Sequence, residues 1–172
     1  MVKTLKLLLI GLAFAISGNV IALEQPGYQE ILQLAEQGNA LAQAKLGAIY
    51  FLGDNVDLGP KARFKEKSRL KAAQPLLKNI DKDAKKAAQW FQKAASQGLM
   101  EAEIVLAALY DSGVGVNLNV READKWYKRA ADHGSGTAKA ITGKYKGKRL
   151  QASKDIPQTY ALEILDKKLT TK

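Results

Sequence analysis

With 172 residues, no cysteine, one histidine and a net charge of +10, the chain has the length of one domain of about 100–200 residues. It excludes a disulfide framework, a thiol nucleophile and any zinc or haem pattern that needs His and Cys clusters. The charge is also localised: residues 57–80 carry +5 and residues 139–172 carry +6, while the rest of the chain beyond residue 22 sums to −3, which suits an acidic partner surface, anionic lipid or nucleic acid.

Residues 1–22 are predicted to be a signal peptide. Lys3 and Lys6 supply a positive start, Leu7 to Ile16 an apolar run, and Val20-Ile21-Ala22 a small-residue cleavage site. A run of that length spans about 15 Å of helix against a hydrocarbon core of about 30 Å, too short for an anchor. The mature chain is expected to be periplasmic or secreted, with no stable membrane insertion after cleavage.

The spacing beyond residue 23 predicts helices only. Ile31, Leu34 and Ala35 share a helix face over Tyr28 to Gln37, and Gly38 stops it. Asn39 caps a second helix whose Ala42, Leu46, Ile49 and Tyr50 share a face, and Gly53-Asp54-Asn55 turns the chain. Asp83 opens the next helix. Its stretch Ala87 to Gly98, with Trp90-Phe91 and Ala94-Ala95, returns 36 positions later as Ala123 to Gly134, with Trp126-Tyr127 and Ala130-Ala131.

A fixed period of 20 to 50 residues is the mark of a solenoid. The helix carrying Ala42, Leu46, Tyr50 and Gly53 recurs as Ala102, Leu106, Tyr110 and Gly113, but 60 positions on, so 24 residues are inserted, and they coincide with the basic segment 57–80. Leu70, Ala73, Leu77 and Ile80 give that insertion a partly helical pattern, which Pro75 is expected to break. The charged insertion is expected to decorate the stack. Asn119 and Glu122 have the spacing of a capping box. The large aromatics of each pair should bridge neighbouring helices while the alanines let backbones approach. A third copy begins at Ser135 and decays, as terminal repeats do. A closing helix from Pro157 to about Leu169 is expected to lie as a lid over the open end of the stack.

These residues resemble the Sel-1-like repeat, a relative of the tetratricopeptide repeat. The resemblance is carried by Ala42, Leu46-Gly47, Tyr50 and Gly53; by Ala87-Ala88, Trp90-Phe91, Lys93-Ala94-Ala95 and Gln97-Gly98; and by their counterparts up to Gly134. Ala107 stands where the first copy has Gly47. The resemblance implies an all-α fold, a right-handed α/α superhelix of about two to three helix pairs with a C-terminal capping helix. The solenoid would occupy residues 23–150, and residues 151–172 would form the capping helix and tail. It also implies an adaptor for proteins.

Catalysis needs a nucleophile with a base, a carboxylate pair or a metal cluster, and the sequence shows none. His133 sits at the helix-terminal position equivalent to Gln97, where it would meet the helix dipole. Glu101 and Glu103, two apart, point to different faces. No catalytic, cofactor-binding or metal-binding residue is therefore assigned, no cofactor is expected, and the alternation of Lys144, Lys146, Lys148 and Arg149 with Tyr145 and Gly147 is taken as a solvated end rather than a nucleic-acid contact.

The function expected is a non-enzymatic protein–protein interaction module, or alternatively an immunity protein that neutralises a secreted toxin in the periplasm. Partner contacts are expected on the first helix of each pair, at Gln43, Lys45, Glu103 and Lys139, and on the basic insertion, at Arg63, Lys65, Lys67 and Arg69. The partner would present an acidic protein surface.

Overall fold

The computed structural model describes residues 26–60, 62–142 and 149–169. Among them are eight helices and no strand: α1 Pro26–Glu36, α2 Ala40–Leu52, α3 Phe64–Leu77, α4 Ala84–Ser96, α5 Met100–Ser112, α6 Val120–Asp132, α7 Gly136–Thr142 and α8 Arg149–Asp166. The expected signal peptide and the lysines from Lys144 to Lys148 lie outside the described residues.

The repeat sets where helices start. Asn39 accepts from the Ala42 N–H at 2.9 Å, Asp83 from Lys86 at 2.9 Å, Asn119 from Glu122 at 3.1 Å and Ser135 from Ala138 at 3.0 Å, each meeting one of the donors a helix start leaves unpaired. The capping box at Asn119 is half made. The Asn119 N–H goes to the Tyr110 carbonyl at 2.9 Å, and Glu122 turns outward to Lys125.

That backbone bond explains how the insertion is accommodated. The Asp83 N–H donates to the Tyr50 carbonyl at 2.8 Å, as Asn119 does to Tyr110 one repeat later, and Asp54 N–H reaches the Ile80 carbonyl at 3.0 Å. The two ends of the insertion are thus pinned together and the repeat continues across it.

Helices α1, α2, α4, α5, α6 and α7 pack as sequential neighbours, with α3 bypassed. The second aromatic of each pair forms the bridge: Phe91 and Tyr127 are fully buried, each worth about 3 kcal/mol of apolar burial. Trp90 and Trp126 pack against the core but are only half buried. Cations cover their rings, with Lys93 Nζ 3.9 Å from the Trp90 centroid and the Arg129 guanidinium 5.2 Å from that of Trp126. Gly47 lets α2 approach Phe91, since a Cβ there would meet the ring at 2.9 Å. Gly115, at φ +72°, brings the α5–α6 turn against the start of α4, where a Cβ would sit 2.0 Å from the Ala84 carbonyl oxygen.

Helix α8 is not a lid over the end of the stack. It runs back across α2 and α5, on the side that α4 leaves open, and α3 packs on it in turn. That placement explains the unbroken burial of Ala42–Ile49 in α2 and Glu101–Leu109 in α5, because a helix whose apolar residues are spread around its circumference needs cover on every side. Helix α8 also starts earlier than expected, so Pro157 lies inside it rather than in its first turn.

The insertion differs from expectation as well. Leu77, Ala73 and Ile80 join the main core, so it builds the fold as well as decorating it. Pro75 does not break α3, which runs on to Leu77. This proline stands exposed near the end of α3, so the bond it removes, to the Lys71 carbonyl, falls in the last turn and leaves most of the helix's ladder intact.

Candidate functional site

Three of the four positions expected on the binding face are internal. Gln43, Lys45 and Glu103 are 6 %, 4 % and 0 % exposed, while Lys139 on α7 is exposed. The repeat accounts for two of them. Gln43 donates to the Ala35 carbonyl at 3.1 Å and accepts from Gln97 at 2.7 Å. Glu103 occupies the equivalent position one repeat on and faces His133, the equivalent of Gln97, with Nδ1 of the imidazole 2.8 Å from its carboxylate.

Glu103 also pairs with Arg129 Nε at 2.8 Å. The same clasp between the first helix of a pair and the end of the second is written Gln–Gln in one repeat and Glu–His–Arg in the next. Buried polar groups must find partners, so these side chains hold the stack together. His133 thus has a specific carboxylate partner beyond the helix dipole. A base oriented by a carboxylate still needs a nucleophile, and the Glu103 carboxylate is shared with Arg129.

Lys45 has a different partner. Its ammonium donates to the carbonyl oxygen of Leu165, in the last turn of α8, at 2.7 Å. Burial lowers its pKa to about 8, and the charge of Asp166 only partly offsets this. The same end of α8 is clamped by an ion pair of Lys167 with Glu101 and by Arg69, which lies 3.8 Å from Glu163 and 3.4 Å from Asp166. Arg69 is therefore turned inward and unavailable as an outer contact. Lys167 and Arg129 carry these contacts unremarked in the sequence, and Glu101 and Gln97, named there only for their spacing and repeat position, turn out to carry them as well. The visible signal was the register itself, which sets Gln43 against Glu103 and Gln97 against His133.

The basic insertion divides by face. Arg63 is exposed and paired with Glu66 at 2.6 Å, which holds that carboxylate below its usual range. Phe64 is 86 % exposed. Helical spacing places Lys67, Ser68, Lys71 and Pro75 on the same outward side as Phe64, all exposed, with exposed Lys65 at its margin. That side of α3 holds no acidic residue. An open cleft of about 690 Å³ also lies on the surface, lined by Tyr50, Trp90 and Tyr110 with Lys85, Lys86 and Lys93 at its rim. Among the described residues there is no group of three or more His, Cys, Asp or Glu side chains arranged to hold a metal ion.

The family described as Sel1 repeat matches residues 40–61, 77–99 and 101–135, with the break between the first two segments falling in the insertion. A Sel1 repeat protein from Oxalobacter formigenes has a similar crystal structure, with a TM-score of 0.50 at 24 % identity over 83 % of this chain and 56 % of that one. A chitin synthase regulator of Saccharomyces cerevisiae is 32 % identical over 99 residues, 58 % of this chain and 11 % of that protein. An exopolysaccharide production negative regulator of Rhizobium meliloti is 39 % identical over 54 residues, 31 % of this chain and 20 % of that protein. The chain thus spans a fifth or less of these two relatives.

Proposed function

This chain is a Sel1-repeat protein by its matched segments and its fold, and on that premise we propose that it is a non-enzymatic interaction module of the periplasm that binds an acidic protein surface through the outward face of α3. Sel1 repeats mediate contacts between proteins, and the relatives named above are regulators of other systems. The periplasmic address rests on the pattern of residues 1–22.

The observation that carries the proposal is the outward side of α3, where exposed Phe64 stands among Lys65, Lys67 and Lys71 with no acidic residue on that side. Phe64 offers an apolar anchor inside a positive field, and complementary charge on a partner would set the rate and the specificity of its docking. The internal positions Gln43 and Glu103 contribute by holding the stack in shape.

The test uses residues 23–172 immobilised against periplasmic extract, beside a Phe64→Ser, Lys67→Glu, Lys71→Glu variant. All three substitutions are on the surface, so the fold should be kept. The reading expects an acidic protein retained at low salt, released as salt rises, and lost from the variant. Equal retention by both forms refutes it.

A further inference from the structure

The cations of α4 and α6 are answered differently. In α6, Lys125 pairs with Glu122, Lys128 with Asp132 and Arg129 with Glu103. The positions equivalent to those three acids hold Lys86, Ser96 and Gln43 in the preceding repeat, so α4 carries cations without their counter-charges. Lys86 reaches Asp83 at 3.6 Å. Lys85 and Lys93, both exposed, have no carboxylate among the described residues within ion-pairing distance.

These three lysines rim the open cleft of about 690 Å³ walled by Tyr50, Trp90 and Tyr110, half-buried rings that pack against the core. Its volume lies within the range of about 300–1,000 Å³ typical of ligand clefts. None of the residues lining it is acidic. A concave surface with a rim of one sign draws in the opposite charge, so the ligand is anionic.

The rings decide what kind of anion. Lys93 Nζ lies 3.9 Å from the Trp90 centroid and Lys86 Nζ 5.3 Å from that of Tyr50. With the core on one side and an ammonium on the other, these two rings offer edges rather than open faces. A sugar ring, which stacks on a face, finds no platform on either, whereas an aromatic side chain meets a ring edge favourably.

We infer that this cleft is a docking site for an acidic peptide segment, which inserts one aromatic side chain among Tyr50, Trp90 and Tyr110 and sets carboxylates on Lys85 and Lys93. Helix α4 packs on α2 and α5, whereas α3 packs chiefly on α8, so the cleft is separate from the outward face of α3. Either site can fail without the other.

The test is two-dimensional NMR of the isotope-labelled full chain, which reads weak binding site by site. The probes are the peptide Glu-Asp-Phe-Asp-Glu, the same peptide with Ser for Phe, the basic peptide Lys-Arg-Phe-Arg-Lys, and trigalacturonate as an anionic sugar. The acidic Phe peptide should shift the Trp90 indole N–H and the amides of α4, and bind about tenfold more tightly than the Ser form. The basic peptide should shift neither. A Lys85→Gln, Lys93→Gln variant should weaken the acidic peptide about fivefold, while the Phe64→Ser, Lys67→Glu, Lys71→Glu variant keeps the α4 shifts unchanged. All of these substitutions are on the surface, and the peptide comparison on the unaltered chain stands without them.

No shift in α4 with the acidic Phe peptide overturns the proposal. So does equal affinity of the Phe and Ser forms, loss of the α4 shifts from the α3 variant, or tighter binding of trigalacturonate than of the peptide.

Discussion

Lys45 is the residue at which the fold bears an electrostatic cost. Its pKa falls from about 10.5 to about 8 because it is buried. Between those values the unfolded chain holds a proton that the folded chain has released, so this group makes stability rise with pH. The gain is about 2 kcal/mol between about pH 7.5 and 9.5. Urea unfolding of the unaltered chain and of Lys45→Met should therefore differ in slope over that range, the methionine form showing no such rise and being at least as stable near neutrality. Parallel curves would show that Lys45 is solvated.

The clasp at Glu103 gives a second test. Glu103→Gln and His133→Gln should each destabilise the fold, and the double substitution, which rewrites this clasp as the Gln43–Gln97 one, should cost less than their sum by about 1 kcal/mol in a double-mutant cycle. Much of this was legible in residue numbers, since the register sets these pairs in equivalent places. What periodicity does not reveal is whether a polar side chain on a repeat helix faces solvent or a partner. Gln43, Lys45 and Glu103 thus read as outward positions in the sequence and are buried in the structure.

At the scale of elements, caps and glycines made the boundaries readable. Asn39, Asp83 and Asn119 start the helices expected of them. Gly47 shows that helix propensity does not rule here. Replacing it with alanine should gain about 1 kcal/mol of propensity and lose about 2 kcal/mol by forcing Phe91 from its place, a net loss readable as a lower melting temperature. A gain in stability would mean that the ring moves freely.

The structural role of the insertion is hidden in the sequence for a different reason. Its charge count hid an apolar face, and Leu77 lies wholly buried in the main core. Leu77→Ala should therefore cost about 3 kcal/mol, where a decorative segment would cost almost nothing. Calorimetry distinguishes the two.

For the whole molecule, the stack was legible because two copies of one pattern fix its period. The return of α8 was not, because hydrophobic spacing says that a helix face must be covered without saying which distant segment covers it. A clue lay in α2 and α5, whose apolar residues are spread around the helix instead of along one stripe, so that each needs a further neighbour. The central claim is that the trough of this solenoid is filled by the chain's own C-terminal helix. Zero-length carbodiimide coupling tests it most directly, by joining amines only to carboxylates already in contact. The account predicts that, in the monomer, mass spectrometry finds Lys167 joined to Glu101. Recovery of Lys167 joined only to other acids, with Glu101 unmodified or coupled elsewhere, would contradict it.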